Sequence, residues 1–305
     1  MRRSLLAALL VPVAAAAAAA TINTTDATLF AKMTLARPGD TLRLRGNYGR
    51  VIIKNKTGLT IDAAGATMKS LEIYDSRGIT IRGGLVDPAN LNAWKAVAIR
   101  DSANVRLEGA RVTRSGAGIS VYQSSDVKLI NNLLYGLRSD CIDLAGAPRA
   151  VVVGNTCRDN TPLKAIVDAR GRVVKDGDHA DGVQLWPLKG YPNVDIVIRN
   201  NTIHGDMQGI WSNGKDGDGT GSDRVTIEGN DIRNTFWWGI ALDNTRGTVV
   251  RFNRVAAVPG TVRIPGGEVQ SRIVIDGPNN VVCGNILADP RGSMPGADRP
   301  CRTAR

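Results

Sequence analysis

The chain has 305 residues and a formal net charge of +11, from 39 Lys and Arg against 28 Asp and Glu. No stretch beyond the N-terminal segment is apolar enough to span a bilayer, and no nucleic-acid-binding motif is present, which excludes those two classes of partner. The positive charge instead favours an acidic polysaccharide, with a generally basic surface as the open alternative.

The first twenty residues are typical of a secretory signal peptide. Two arginines precede a short apolar run, and a run of alanines follows it. We expect residues 1–20 to be removed near Ala20, giving a secreted (periplasmic or extracellular) chain of about +9 charge. No linker or composition shift follows, so residues 21–305 are predicted to form one domain with a C-terminal tail, favoured as a monomer.

Residues 26–36 show a modest helical pattern. The repeats described next predict a solenoid, whose open end exposes unpaired strand edges and core side chains. We therefore predict that this segment is a short N-terminal capping helix.

Short β-branched runs that end in Gly-Asn or Asn-Asn recur along the chain and predict one strand per repeat. The asparagine tolerates left-handed backbone geometry, and its amide can hydrogen-bond to its copy one rung away. The runs predict a stacked ladder of Asn132, Asn155, Asn201, Asn230, Asn253 and Asn285.

The spacings between these asparagines are 23, 46, 29, 23 and 32 residues. Most spacings fit one solenoid coil with loop insertions. The 46-residue gap allows two coils, but residues 162–178 have weak strand alternation and many charged residues. We therefore predict a single coil there, with a long insertion.

A second strand also recurs, with apolar residues at alternate positions. The stack predicted to point inward is Ile119, Ile142, Val183, Ile210 and Ile240. The neighbouring outward column is then Ser120, Asp143, Gln184, Trp211 and Ala241, and the next contains Tyr122, Ala145, Trp186, Asn213 and Asp243. Asp140, Asp181, Gln208 and Trp238 are placed in a further outward column at the strand start.

Outward carboxylates, amides and indoles are the groups that bind sugar hydroxyls and pack on pyranose rings. The predicted substrate-binding residues are Gln184, Trp186, Gln208, Trp211, Asn213, Trp238 and Tyr122. Packing of the tryptophans under loops is the structural alternative.

Four cysteines in an oxidising compartment indicate disulfides. Cys283 lies in a late strand and Cys301 in a Pro/Gly-rich tail that can fold back, so we predict a bridge between them. Cys141 and Cys157 either pair or remain small buried thiols.

The Pro38–Thr41 turn, the strand after it and the Gly46–Tyr48 turn resemble the first segment of pectate-lyase-like right-handed β-helix proteins. With the asparagine ladder, the resemblance covers essentially the whole mature chain. It implies an all-β fold, a single-stranded right-handed parallel β-helix. The superfamily includes lyases, epimerases, glycosidases and noncatalytic phage proteins, so it leaves the reaction open.

The sharpest chemical motif runs from Asp176 to Gln184 and contains His179 between Asp178 and Asp181. A histidine beside carboxylates can act as general base or acid near neutral pH, or brace a turn. The motif resembles the Asp-Pro-His-Asp motif of mannuronan C5-epimerases, with a different residue order.

Cleavage of an acidic glycan by β-elimination requires neutralising a uronate carboxylate and removing the C5 proton. We assign Arg138 and Lys164 to the first role, with His179, Asp181 and Asp143 as catalytic groups. A solvated charged loop is the alternative for the cations.

The acidic group Asp140, Asp143, Asp178 and Asp181 is a candidate calcium site, as oxygen ligands on adjacent coils suit that ion. No cofactor is otherwise required. A glycine-rich turn, rather than a second calcium loop, is favoured for residues 216–223.

The leading functional hypothesis is a polysaccharide lyase or C5-epimerase acting on a uronate-containing polysaccharide. The alternatives are a glycoside hydrolase that uses Asp143 and Asp181 as its carboxylate pair, and a noncatalytic polysaccharide-binding solenoid.

Overall fold

The computed structural model describes residues 18–170, 172–212, 214, 221–259, 262–264, 267–268, 270–289, 291 and 293–301. The predicted signal peptide lies mostly outside the described residues, as do Asn213 and most of the loop 216–223. Within the described part of the chain, no helix is both long and apolar enough to cross a membrane.

The N-terminal capping helix is confirmed as α1, Asp26–Leu35, which buries Leu29 and Met33. The strands, in chain order, are β1 Thr21–Thr24, β2 Thr41–Lys54, β3 Thr60–Tyr74, β4 Arg77–Arg82, β5 Leu85–Val86, β6 Asn90–Arg100, β7 Ala103–Glu108, β8 Arg111–Thr113, β9 Ser115–Tyr122, β10 Lys128–Ile130, β11 Leu133–Tyr135, β12 Ile142–Ala145, β13 Val151–Val153, β14 Thr156–Arg158, β15 Ile166–Val167, β16 Val173–Lys175, β17 Asp181–Trp186, β18 Val197–Arg199, β19 Thr202–Gly205, β20 Gln208–Ser212, β21 Thr226–Glu228, β22 Asp231–Asn234, β23 Trp238–Leu242, β24 Val249–Arg251, β25 Arg254–Ala257, β26 Val262–Ile264, β27 Gly267–Glu268, β28 Arg272–Ile275, β29 Val281–Cys283 and β30 Ile286–Leu287.

The coils stack their strands into three parallel faces. Face I contains β4, β7, β10, β13, β18, β21, β24 and β29, face II contains β5, β8, β11, β14, β19, β22, β25 and β30, and face III contains β6, β9, β12, β17, β20, β23 and β28. The long strands β2 and β3 pass through all three faces, and β1 pairs with β2 on face I. Parallel strands joined in this way form a right-handed β-helix, which confirms the predicted fold class.

The predicted inward stack of face III is confirmed. Ile119 pairs with Ile142, Ile142 with Val183, Val183 with Ile210 and Ile210 with Ile240. All five side chains are buried, at most 2% exposed. Because side chains alternate along a strand, the residues between them face outward.

The asparagine ladder is confirmed on the turn between faces I and II. Each Nδ2 donates to Oδ1 of the next asparagine at 2.9–3.1 Å, from Asn132 through to Asn285. The left-handed residue is the one before the ladder position, for example Asn200 with φ 55° and Gly154 with φ 69°. The expectation that the ladder asparagines themselves carry that geometry is therefore wrong.

The 46-residue gap is one coil with an insertion, as predicted. Val151 pairs directly with Val197, so no further coil lies between them. The insertion contains the antiparallel hairpin β15–β16, outside the main sheet.

Both pairs of cysteines form disulfides. The predicted Cys283–Cys301 bridge is confirmed, with its Cα atoms 5.0 Å apart. Cys141 and Cys157, left open by the sequence, are also bridged, with a Cα separation of 6.1 Å.

Candidate functional site

The outward surface of face III carries a continuous row of polar and aromatic side chains. Backbone register places Asp143 between Ser120 and Gln184, and Gln184 beside Trp211. This is the predicted column, and its alignment is confirmed. The row continues on one side towards β6, where the surface opens into cavities.

Two adjoining cavities lie on the N-terminal half of face III. One has a volume of about 450 Å³ and is lined by Glu72, Lys95, Arg100 and Tyr122 among others. The other, of about 150 Å³, is lined by Asp140 and Asp143 among others. Trp94, Lys95 and Ser120 line both. The cavities therefore form one groove, with these three residues at the junction.

A third cavity, outside the groove and about 590 Å³ in volume, lies at the corner between faces III and I. Its wall contains a ladder in which the backbone N–H of Ser76 donates to Ser102 Oγ, and that of Ser102 donates to Ser124 Oγ. These hydroxyls satisfy the backbone of a turn, so we assign the corner a structural role.

Three side chains on successive coils form a hydrogen-bonded chain at the groove junction. Lys95 Nζ donates to Ser120 Oγ at 2.7 Å, and the Ser120 hydroxyl donates to Asp143 Oδ2 at 3.0 Å. Ser120 is 2% exposed, which makes this a largely desolvated connection. Burial lowers the pKa of Lys95, and the charge of Asp143 acts in the opposite direction.

Asp140 is held on the turn before β12. Its Oδ1 accepts a hydrogen bond from the backbone N–H of Asp181 at 2.9 Å and a longer one, 3.4 Å, from Ser139 Oγ. Among the described residues no donor reaches Oδ2, which leaves this oxygen for a ligand. The next residue, Cys141, is anchored by its disulfide to Cys157.

The two groove aspartates have different electrostatic environments. Burial, with a further contribution from Asp143, raises the pKa of Asp140 to about 7. Burial also raises the pKa of Asp143, but the hydrogen bond from Ser120 and the charge of Lys95 act in the opposite direction. Paired carboxyl groups in unlike environments can divide the roles of acid and base between them.

Asp181 and Gln208, two residues predicted in the column at the strand start, are buried. Asp181 is 0% exposed and Gln208 is 5% exposed. Asp140 occupies the position equivalent to Asp181 on the preceding coil and lines the smaller cavity, whereas Asp181 and Gln208 line neither groove cavity. Burial raises the pKa of Asp181 well above its usual value, and the charges of Asp140 and Asp143 raise it further.

His179 lies in the insertion and lines neither groove cavity. Its ring is 65% exposed, and Nε2 lies 3.3 Å from Asp176, rather than beside Asp181. The two catalytic groups predicted within this motif therefore have different environments, since His179 is exposed and Asp181 is buried.

Arg138 and Lys164, the two cations predicted to neutralise a uronate carboxylate, both form ion pairs within the protein. Arg138 Nε lies 3.1 Å from Asp178, and its Nη1 donates to Asn92 Oδ1 at 2.9 Å. Lys164 forms an ion pair with Asp206. Arg138 lines the smaller cavity, whereas Lys164 does not.

The predicted aromatic residues have mixed placements. Tyr122 lines the larger cavity, with the Arg100 guanidinium 5.0 Å from its ring centroid. Trp186 and Trp211 are half-buried on the outward surface further along face III, and Trp238 is half-buried at the start of β23. Asn213 lies outside the described residues.

The four aspartates proposed as calcium ligands do not form a ligand set among the described residues. Among the residues it describes, no three His, Cys, Asp or Glu side chains are placed to hold a metal ion. Asp178, one of the four proposed ligands, pairs with Arg138 instead, and Asp181 is fully buried.

Sequence reasoning missed Trp94 and Lys95. They lie in a coil that is longer than the next one. Thr80 and its partner Arg106 are 26 residues apart, whereas Arg106 and its partner Lys128 are 22 apart. The unequal spacing was the available signal, because extra residues within a coil must leave the sheet.

A family model described as "Right handed beta helix region" matches residues 45–210. No protein in the curated set is detectably similar in sequence.

Three solved structures illustrate the similarity in fold. The Dettilon tailspike protein (gp208) is 14% identical, with a TM-score of 0.52 over 85% of this chain and 56% of its own. DFA-IIIase from Arthrobacter chlorophenolicus A6 in complex with GF2 is 10% identical, with a TM-score of 0.52 over 86% and 77%. The Streptococcus pneumoniae surface protein and adhesin PfbA is 16% identical, with a TM-score of 0.54 over 84% and 74%. At these identities the similarity establishes the fold alone.

Proposed function

We propose, from the premise that this chain belongs to the right-handed β-helix family, that it is a secreted enzyme that hydrolyses an acidic polysaccharide bound along face III. Two disulfides support an oxidising compartment. Among structures of this fold, a DFA-IIIase in complex with GF2 supports an enzymatic use of it.

The observation that carries the proposal is the pair of unlike carboxyl groups in one cavity. Asp140 has its pKa raised to about 7, and Oδ2 accepts no hydrogen bond from the described residues. Asp143 is bound to the Ser120 hydroxyl and lies near Lys95. Glycoside hydrolysis requires one protonated and one ionised carboxyl group.

The roles follow from these environments. Asp140 donates its proton to the glycosidic oxygen as the bond to the leaving sugar breaks. Asp143, in its ionised form, removes a proton from a water molecule, whose oxygen forms the new bond to the anomeric carbon. Asp181 is buried and lines neither groove cavity, so Asp140 replaces it as the partner of Asp143.

The acidic substrate class rests on charge. The whole chain carries +11, and Lys95 and Arg100 line the larger cavity. The carboxylate of Glu72, which also lines this cavity, is compensated by its ion pair with Arg50 and accepts a further hydrogen bond from the Tyr74 hydroxyl at 2.6 Å. An anionic chain is therefore attracted to this end of the groove.

A lyase or C5-epimerase is the second candidate, and Lys95 is the observation that favours it. A lysine at the groove junction can neutralise a uronate carboxylate, which makes the C5 proton easier to remove. In that reaction Asp143 is the candidate base and Asp140 the acid for the leaving oxygen.

One incubation series separates these candidates. The protein is incubated with alginate, pectate, glycosaminoglycans and neutral glucans, with Asp140→Asn as the inactive control. New reducing ends without ultraviolet absorbance support hydrolysis, whereas absorbance from an unsaturated product supports a lyase. Changed uronate stereochemistry without cleavage identifies an epimerase. Binding without any product contradicts the enzyme proposal and supports a noncatalytic solenoid.

A further inference from the structure

The start of β6 contains a bulge that projects over the groove. Asn90 pairs with Ser115 and Lys95 pairs with Ala117, so β6 uses more residues than β9 over this interval. The excess residues, 91–94, therefore leave the ladder and extend outward.

The bulge is held in a defined position. Arg138 Nη1 donates to Asn92 Oδ1 at 2.9 Å, and Asn92 N donates to Asn90 Oδ1 at 2.9 Å. On the inner side, a Cβ on Gly116 would collide with the Ala93 carbonyl oxygen, so glycine permits the close approach of the two backbones. The bulge is thus packed against its neighbours, although its tip is exposed.

Trp94 lies at that tip and is 82% exposed. It lines both groove cavities, between the larger one and the one that contains Asp140 and Asp143. An indole exposed beside polar cavities is suited to pack on the C–H surface of a sugar ring.

Lys95 is the cation next to that indole, and its surroundings are unusual for a lysine. It is half-buried, donates to the Ser120 hydroxyl at 2.7 Å, and has no carboxylate within ion-pair distance among the described residues. By contrast, Arg50 is paired with Glu72 and Arg100 with Asp101 in the same region. A ligand carboxylate would restore the stabilisation that the ammonium loses on partial burial.

We propose that Trp94 and Lys95 form a uronate subsite, in which the indole stacks on the sugar ring and the ammonium binds its carboxylate. The inference deepens the proposed function and rests on it for the position of the reacting bond. It places a carboxylate-bearing sugar beside the Asp140–Asp143 pair. Recognition of the carboxylate by Lys95 then determines which sugar occupies that position.

Binding, measured without turnover, tests the subsite. In Asp140→Asn protein, we titrate hexamers of galacturonate, mannuronate and glucuronate, and the same hexamers with their carboxyl groups reduced to alcohols. Lys95→Gln is expected to weaken uronate affinity about tenfold to a hundredfold, as expected for a lost charge-assisted hydrogen bond, with little effect on the reduced hexamers. Trp94→Ala is expected to weaken both.

The matched control is Lys128→Gln, which removes an exposed lysine from face I and should change neither affinity. Lys95→Arg should retain part of the preference for uronates. Melting temperatures show that each variant is folded, and if Lys95→Gln does not fold, the comparison of Lys95→Arg with Lys95→Met replaces it.

Equal loss on charged and reduced hexamers, no loss on either, or no uronate binding by the parent protein would overturn the subsite. The acid assignment fails separately, if Asp140→Asn retains wild-type turnover while Lys95→Gln still loses selectivity for uronates. The two failures are therefore distinguishable.

Discussion

The backbone N–H of Asp181 donates a 2.9 Å hydrogen bond to Oδ1 of Asp140, which fixes the side chain of one residue to the backbone of the next coil. Asp140 lines the groove, whereas the Asp181 side chain is 0% exposed. The bond orients the Asp140 carboxyl group so that Oδ2 is available to a ligand. It also brings the Asp181 carboxyl group close enough for the charge of Asp140 to contribute, after burial, to the raised pKa of Asp181.

Replacing Asp140 by Asn should lower turnover by about a hundredfold to ten-thousandfold, because the general acid is lost. In the wild type the acid must be protonated and its pKa is about 7, so activity should decline as the pH rises through about 7. Turnover of both proteins across this pH range, on a substrate from the screen above, checks the assignment.

The comparison variant is His179→Ala, which alters an exposed side chain outside both groove cavities and should keep turnover within about twofold. If His179→Ala is inactive and Asp140→Asn is active, the chemistry belongs to the histidine of the insertion.

Asp181→Asn should reduce the dependence of stability on pH. The folded-state pKa of Asp181 is raised, so its contribution to stability is fully present below about pH 4 and is lost as the pH rises towards the folded-state value. Melting temperatures measured from about pH 4 to about pH 9 should decrease more steeply for the wild type than for the variant. Parallel curves would show that Asp181 does not titrate in this way.

Ser120→Ala should impair the groove without unfolding the coil. The hydroxyl connects Lys95 to Asp143, and its hydrogen bond lowers the pKa of Asp143. Its removal should move the acidic limb of the pH–rate profile to higher pH and lower turnover about tenfold at low pH. Ser125→Ala, at the structural corner, is the control, and an unchanged acidic limb would exclude the role given to Ser120.

Replacing Cys141 and Cys157 together by Ala should cost about 3 kcal/mol of unfolding free energy, for a loop of this length. Because Cys141 follows Asp140, the loss should also lower turnover at temperatures where the protein remains folded. Replacing Cys283 and Cys301 tests a bridge in the C-terminal region and should affect stability alone. Denaturant unfolding and turnover are measured together, and equal effects of both pairs on turnover would contradict the local role.

Asn201→Ala should cost about 3 kcal/mol, because it leaves buried ladder groups without partners. Asn201 accepts from the backbone and side chain of Asn155 and donates to Asn230. Its neighbour Asn200 has φ 55°, so Asn200→Gly should be neutral or slightly stabilising. A chemical denaturation series distinguishes the two, and equal costs would mean that the ladder adds nothing specific.

The sequence alone was sufficient for the repeat architecture. Asn132 and Asn155 recur because each coil needs the same hydrogen-bonding amide at the same turn, and Ile142 and Val183 recur because each coil fills the same core position. A local period of this kind is visible in one dimension, since every repeat meets its neighbour in the same way. The outward column through Asp143 and Gln184 followed from strand alternation.

The tertiary structure alone decided which polar residues share the groove. Lys95, Ser120 and Asp143 meet because three coils stack, although they lie 25 and 23 residues apart along the chain. His179 and Asp181 are two residues apart in sequence but differ in environment, because the histidine lies in the exposed insertion whereas the aspartate begins β17 and is buried. Repetition determines what stacks, whereas a bulge or insertion departs from the repeat, and the side chains it brings together depend on packing between coils.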